Sequence, residues 1–317
     1  MTDHKLAFET DLRGLDIDDW LQALEDLVEE HGSFVPLGEQ HVAAFLDAGP
    51  KLLVTFENAA EVMNLSDAAP RGFAFARNEG WSHLAIISKG ESWFREERIY
   101  RHFDRLIDDG FFEDFEDVLF FGAQSGGYAA AAYAVAAPGA RVLALRPQAT
   151  LDPAVTGWDM RFVKNRGQNF TSRYGYAPDM IDAVERAYLV FSPQQRLDAM
   201  HAALFTKPNA TMLRVTGLGG RLDVMFDTLG VLDDLIYGAM DGTLNHAKFG
   251  ALMQKRKRSG PYLKNLLKRL LDSGHDRLAV MMCRAVLARG PNGYIAKQLQ
   301  DMGEPLPAAA QQDAETA

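Results

Sequence analysis

One short stretch constrains the fold of this chain more than any other. The apolar run at residues 118–121 leads through Gly122-Ala-Gln-Ser-Gly-Gly-Tyr128 into the alanine-rich residues 129–137. Ala123-x-Ser125-x-Gly127 fits the small-x-nucleophile-x-small pattern of a nucleophile elbow, in which a serine stands on a sharp turn from strand to helix. Small neighbours are needed because the turn is strained and the helix packs closely on the strand. The pattern predicts Ser125 at the turn, with the amide of Gly126 as an oxyanion donor.

Composition narrows the class of protein. The chain has 317 residues, of which 47% are hydrophobic, and a net charge of -10. This balance indicates a folded protein and argues against a general nucleic-acid binder, which needs a basic face to neutralise phosphates. The basic run Lys255-Arg-Lys-Arg258 is typical of a solvated helix face.

The expected location is the cytoplasm. No apolar run reaches the roughly 18 residues of a membrane span, and residues 1–10 lack the basic and apolar regions of a secretory signal. A single cysteine, Cys283, excludes an internal disulfide and any multi-cysteine metal site. We therefore expect neither a membrane span nor a nucleic-acid partner.

Hydrophobic periodicity predicts an α/β architecture. Helical spacing is seen at residues 16–30 and 95–109, and buried-strand patterns lie at 51–56, 82–88, 118–121, 141–145, 187–191 and 211–216. Strands that alternate with helices predict a three-layer α/β domain, with a mostly parallel sheet covered on both faces.

The remaining segments give the expected domain boundaries. Residues 1–50 are predicted to form an N-terminal helical cap, 51–231 the α/β domain, 232–303 an all-helical extension and 304–317 a disordered tail. Within the extension, residues 266–300 resemble a helix-turn-helix unit of the tetratricopeptide kind. One such unit buries too little surface alone, so we expect it to pack on the main domain or on a protein partner.

The order of segments over residues 51–226 resembles the α/β-hydrolase fold. More narrowly, Phe121-Gly-Ala-Gln-Ser-Gly-Gly-Tyr-Ala-Ala130 and the later Arg146-Pro-Gln148 look like serine hydrolases of bacterial polysaccharide and surface-glycan loci, whose elbow reads G-x-S-x-G-G-Y. The resemblance implies that Ser125 is the nucleophile of a hydrolase or acyl transferase. Its substrate would be a small-molecule, glycan or acyl compound carrying an ester or thioester, with no cofactor.

The same resemblance locates the acid and the base. The acid should follow the strand at 187–191, where Asp198 is the carboxylate in reach. The base should follow the last strand, where Arg221 stands, and an arginine remains protonated and cannot take a proton. Either His201, one helical turn from Asp198, replaces the base, or Arg221 binds an anionic group close to Ser125.

Two other functions remain open. In the first, the elbow and Arg221 belong to a pseudoenzyme that binds a ligand or glycan intermediate, while the C-terminal helices recruit a partner. In the second, Ser125-Gly-Gly resembles the phosphate loop S-G-G-x-D-S of ATP pyrophosphatases and phosphoadenosine-phosphosulfate reductases, although Ala129 and Ala130 replace its Asp and Ser.

Further candidates lie at neighbouring strand ends. Asn58 is placed for the second oxyanion contact, and Gln124 joins Gly126 and Arg221 as a candidate ligand-binding residue. Trp93 is a candidate pocket residue, and residues 165–176 are a candidate lid. The scattered histidines show no metal-binding pair.

Overall fold

The computed structural model describes residues 10–218 and 221–307. The strands in this part of the chain are β1 Gly32–Pro36, β2 His41–Leu46, β3 Lys51–Asn58, β4 Ser82–Ser88, β5 Asp117–Ala123, β6 Arg141–Leu145, β7 Arg186–Phe191 and β8 Ala210–Arg214. Its α-helices are α1 Ile17–Glu29, α2 Ala59–Met63, α3 Gly72–Glu79, α4 Glu97–Asp108, α5 Ser125–Tyr133, α6 Pro153–Thr156, α7 Ala177–Met180, α8 Arg196–Leu204, α9 Leu222–Thr228, α10 Leu232–Met240, α11 His246–Leu252, α12 Gly260–Asp272, α13 Asp276–Leu287 and α14 Gly293–Asp301.

The strands form one sheet in the order β1-β2-β4-β3-β5-β6-β7-β8. β1 and β2 run antiparallel to their neighbours, and every pairing from β4 to β8 is parallel. This arrangement confirms the predicted mostly parallel sheet of the α/β-hydrolase type. Because the strands are parallel, the loops after β3, β4, β5, β6, β7 and β8 all lie at one edge.

Both faces of the sheet are covered, as the apolar runs predict. Leu84 and Ile86 of β4 belong to a core shared with α4, α5 and α7, whereas Ala85 and Ile87 belong to a core shared with α1, α2 and α3. This alternation is the two-residue period of a strand buried on both sides. The sheet is therefore the middle layer of three, with helices on both faces.

The N-terminal segment contributes more than a helix. Helix α1 lies where the periodicity predicts it, whereas residues 32–46, expected to be helical, form β1 and β2 of the sheet. Short apolar runs such as His-Val-Ala-Ala-Phe-Leu46 do not distinguish a strand from a buried helix by periodicity alone. Antiparallel pairing with β4 selects the strand conformation for residues 41–46.

The chain divides into two compact units, residues 1–252 and 253–317. The regular elements described in residues 232–307 are all helices, as the sequence predicts. The domain boundary at residue 232 stays a prediction, and α10 and α11 fall within the first unit. In the second unit, α12, α13 and α14 enclose a small core that includes Leu267, Cys283 and Leu299. The tetratricopeptide likeness stays a prediction, and residues 308–317 of the predicted tail lie outside the described residues.

None of the helices in residues 10–218 and 221–307 combines the length and apolar character that a bilayer span requires.

His83 of β4 is an ionisable group enclosed by the core. Its Nε2 lies 2.9 Å from the Thr55 hydroxyl, and a Cβ on Gly72 would stand only 2.1 Å from the ring. Burial lowers the pKa of His83 to about 3. The unfolded chain, where histidine titrates near pH 6.5, therefore takes up this proton first as the pH falls.

We predict that the free energy of unfolding decreases by about 1.4 kcal/mol per pH unit through His83 alone as the pH falls from 6 to 4. Urea unfolding at several pH values measures this slope, and His83→Gln should reduce it by that amount. The same exchange at His31, whose side chain is 30% exposed, is the control. An unchanged slope in His83→Gln would contradict the prediction.

Candidate functional site

The strained residue of the elbow is Gln124. It lies between β5 and α5 with φ 54° and ψ -118°, outside the regions that side-chain-bearing residues normally occupy. Two backbone hydrogen bonds hold this conformation, from the Gln124 N–H to Leu145 O at 2.8 Å and from the Tyr128 N–H to Gln124 O at 2.9 Å. Ser125 follows as the first residue of α5.

The glycines around the turn bring strand and helix into close contact. A Cβ on Gly122 would lie 2.1 Å from Gly126 O, and a Cβ on Gly126 would lie 2.3 Å from Phe56 O. These contacts allow no side chain, so the elbow reads Gly122-x-Gln124-x-Gly126. The predicted position of Ser125 at the strained turn is corrected by one residue, because these two contacts fix the register.

The strained position of the elbow determines which side chain could act as a nucleophile. The elbow presents the residue with the strained backbone at its apex, and that residue is a glutamine. A carboxamide has no hydroxyl or thiol that a base could convert into a nucleophile. Ser125 takes the next position, where the motif uses the backbone amide as an oxyanion donor.

Asp198 lies in a buried ionic cluster. It has almost no exposed surface, and its oxygens accept hydrogen bonds from Arg146 Nε at 2.8 Å and Arg161 Nη1 at 2.6 Å. Arg161 also binds Asp159, and these hydrogen bonds outweigh the effect of burial and lower the pKa of Asp159. The cluster joins the segment after β6 to α8.

His201 belongs to the same cluster. Its Nδ1 accepts a hydrogen bond from the Ala149 N–H at 3.1 Å, so the proton resides on Nε2, which lies 3.0 Å from Asp159 Oδ2. Burial lowers the pKa of His201, so the ring is neutral near pH 7. Both nitrogens are engaged, and neither is left to take a proton from a hydroxyl.

The predicted catalytic residues are therefore not brought together by hydrogen bonds. In the described part of the chain, no such bond joins Ser125 to Asp198 or His201, whose partners are Arg146, Arg161, Asp159 and Ala149. The residue directly after β7 is Ser192, whose buried hydroxyl has no partner among the described residues.

Arg221 is already neutralised by carboxylates. Its Nη2 lies 2.8 Å from Asp223 Oδ2 and 3.0 Å from Glu61 Oε1. The expectation that Arg221 holds an anionic group beside Ser125 is not supported by this geometry, because the guanidinium charge is compensated on the protein.

A cavity of about 750 Å³ lies beside the elbow. Its wall includes Asn58 and Arg221, two of the candidate ligand-binding residues. The elbow contributes Gly122 and Ala123 to the wall, but Gln124 and Ser125 do not line it. Asn58 caps α2 by accepting the Ala60 N–H at 3.0 Å and donates to Gly90 O at 3.3 Å. A volume of this size is that of a small-molecule site.

The cavity wall is acidic. Six carboxylates line it, against two guanidinium groups: Glu57, Glu61, Asp67, Asp223, Asp227 and Asp233, with Arg71 and Arg221. Arg71 forms a bidentate pair with Asp227, at 2.9 and 2.7 Å, so both cations are compensated. Burial raises the pKa of Glu57, which accepts hydrogen bonds from Thr55 and from the Arg71 N–H. A phosphate or sulfate is disfavoured here.

The predicted lid is anchored by a buried arginine. The Arg95 guanidinium donates to Asn169 O at 2.8 Å and Arg173 O at 2.9 Å. Trp93 packs edge-on against Phe162, with ring centroids 4.9 Å apart, and also contacts Phe170. These contacts fix residues 162–173 over the turn that follows β4.

In residues 10–218 and 221–307 no group of three or more metal-ligating side chains is close enough to hold an ion. Cys283 is a buried free cysteine of α13, and burial raises the pKa of its thiol. It packs in the core of the second unit.

No protein-family model and no curated protein matches this chain. Among solved structures, the capsule O-acetyltransferase of Neisseria meningitidis serogroup A is 12% identical over 62% of this chain and 91% of its own, with a TM-score of 0.42. Mycobacterium tuberculosis MPT51 is 14% identical over 65% and 97%, with a TM-score of 0.40. Carboxyl esterase 2 of Tuber melanosporum is 12% identical over 57% and 73%, with a TM-score of 0.37.

These neighbours include an acyltransferase and an esterase, and the likeness is one of fold. The α/β-hydrolase fold of this chain rests on its strand order and on the strand-turn-helix elbow.

We predict that Asp198→Asn lowers the free energy of unfolding by about 3–5 kcal/mol, because it leaves Arg146 without its buried counter-charge and removes one of the two carboxylates that bind Arg161. Urea unfolding measures this loss. Asp109→Asn, an exposed exchange of the same kind, should stay within about 0.5 kcal/mol of the wild type. Wild-type stability in Asp198→Asn would show that the cluster does not stabilise the fold.

Proposed function

We propose that this protein has the α/β-hydrolase fold but acts as a binding protein. The cavity beside the elbow would bind a polar, hydroxyl-rich ligand, and a neutral or amino-bearing glycan is the favoured class. The observation that carries the proposal is Gln124 at the strained apex of the elbow, where a nucleophile would be required for acyl chemistry. Hydrolysis through Ser125 is the competing function, and it lacks an acid and a base bonded to that serine among the described residues.

The ligand class follows from the cavity wall. Asp67, Asp233 and Asn64 offer oxygen atoms that accept hydrogen bonds from sugar hydroxyls or amines, and Phe56 and Phe121 add apolar surface. Because Arg71 and Arg221 are paired with carboxylates, the wall keeps an excess of negative charge. A cationic or neutral glycan complements this wall better than an anionic one.

The C-terminal unit supports a second part of the proposal. Helices α13 and α14 carry exposed apolar side chains: Leu278 and Met281 of α13 are 50% and 57% exposed, and Tyr294 of α14 is 41% exposed. We propose that these helices contact a protein partner, in line with the tetratricopeptide likeness of residues 266–300. The cytoplasm remains the proposed location.

Thermal or urea unfolding with a glucosamine hexamer tests the ligand class. At about 100 times its dissociation constant the hexamer should add about 2.7 kcal/mol to the free energy of unfolding, whereas a sulfated oligosaccharide should add nothing. Asp67→Asn and Asp233→Asn should each weaken binding, and Asp108→Asn, exposed on α4, is the matched control.

Stabilisation by the sulfated oligosaccharide instead of the glucosamine hexamer would contradict the proposed charge selectivity. Stabilisation by neither would contradict the proposed ligand class.

A further inference from the structure

A serine, a histidine and a glutamate lie in contact, in that order, at the same sheet edge as the elbow: the serine is hydrogen-bonded to the histidine, and the histidine lies at ion-pair distance from the glutamate. Ser92 Oγ lies 2.5 Å from His41 Nε2, and His41 Nδ1 lies 3.3 Å from Glu96 Oε2. His41 begins β2, Ser92 follows β4, and Glu96 caps α4. The order hydroxyl, imidazole, carboxylate is that of a nucleophile, its base and the acid that orients the base.

The partners of each atom define where the protons reside. The Glu96 carboxylate favours a proton on His41 Nδ1, which leaves the Nε2 lone pair facing the Ser92 hydroxyl. Burial lowers the pKa of His41, so the neutral ring is the resting form. The Ser88 hydroxyl, 2.8 Å from Ser92 Oγ, donates to Gly90 O at 2.5 Å. The single Ser92 proton therefore has two acceptors within reach, Ser88 Oγ at 2.8 Å and His41 Nε2 at 2.5 Å, and the shorter contact favours donation to His41.

The turn that carries Ser92 is strained. Trp93 and Phe94 both have φ 55°, a conformation that aromatic side chains rarely adopt. Strain of this kind concentrates at functional sites and costs about 1–3 kcal/mol per residue. Several contacts brace the turn, among them the Phe94 N–H donating to Ser92 Oγ at 3.2 Å and Arg95 holding the lid segment.

Two further features of the turn fit a nucleophilic serine: Ser92 is accessible to a substrate, and the next backbone amide could bind an oxyanion. Ser92 is partly exposed, whereas His41 is fully buried behind it. Among the described residues the Trp93 N–H donates no hydrogen bond, which leaves the amide directly after the serine free to bind an oxyanion. The buried rings of Trp93 and Phe94 flank the serine closely and favour a short acyl group.

We propose that Ser92, His41 and Glu96 form a second, unassigned acyl-transfer site, with Ser92 as the nucleophile and esters of short carboxylic acids as the substrate class. β3 separates β4 from β5, so this turn lies about 10 Å along the edge from the elbow. The inference goes beyond the proposed binding function, and either can fail while the other stands.

The chemistry is a two-step acyl transfer. In the first step the bond from Ser92 Oγ to the acyl carbon forms, the ester C–O bond breaks, and the Ser92 proton passes through His41 Nε2 to the leaving alkoxide. In the second step water attacks the acyl-serine, His41 takes the water proton, and that proton returns to Ser92 Oγ as the carboxylic acid leaves. Glu96 holds the imidazole and stabilises its transient positive charge.

Labelling of the full chain with a fluorophosphonate, followed by tryptic peptide mapping, tests the proposal. Phosphonylation forms an Oγ–P bond and releases fluoride. Ser92 is the single serine of the peptide of residues 90–95, and Ser125 is the single serine of the peptide of residues 106–141. We expect the adduct on the first peptide and none on the second.

Matched variants separate reactivity from folding. Ser92→Ala should abolish labelling and lower the hydrolysis of p-nitrophenyl acetate by about 100-fold or more, whereas Ser125→Ala should leave both unchanged. Substitution of the buried His41 could unfold the protein, so the base is tested through Glu96, whose side chain is 36% exposed. The Glu96→Gln variant should be labelled about tenfold or more slowly than the wild type, at an unchanged urea midpoint.

Three results would overturn the proposal: no adduct on residues 90–95, an adduct that persists at the same rate in Glu96→Gln, or ester hydrolysis unaffected by Ser92→Ala. An adduct on residues 106–141 would instead contradict the account of the elbow in the proposed function.

Discussion

The close approach of β5 to α5 is the constraint on which the rest of the site depends. Gly122 and Gly126 are packed so tightly that neither can carry a side chain, and this contact forces the strained backbone onto Gln124. The register of the elbow follows from steric exclusion, and the absence of a nucleophile at its apex follows from the register. The turn between β5 and α5 thus presents an amide side chain at its apex.

The ionisable groups near the sheet edge are bound to one another. Asp198 and His201 bind Arg146, Arg161 and Asp159 in a buried cluster that joins the segment after β6 to α8. In this cluster every charge has a partner, which is the condition for burying ions without a large loss of stability. Carboxylates similarly compensate both guanidinium groups of the cavity, and the remaining acidic wall determines which ligands it favours.

Much of the fold could be predicted from the sequence, because the strands from β3 to β7 are mostly buried apolar runs and α1 and α4 have clear helical periods. β1 and β2 could not, since short apolar runs adopt whichever structure their neighbours impose. The site was predicted less well. Aligning G-x-S-x-G-G on Gly122 instead of Ala123 would have placed Gln124 at the apex, and Ser92 meets His41 only through strand pairing.

A crystal structure that defines the peptide planes of residues 123–126 tests the central claim most directly. The account predicts a positive φ at residue 124, with residue 125 already in helical geometry. A positive φ at Ser125, with Gln124 in ordinary strand geometry, would contradict it, because the serine would then stand at the apex of the elbow.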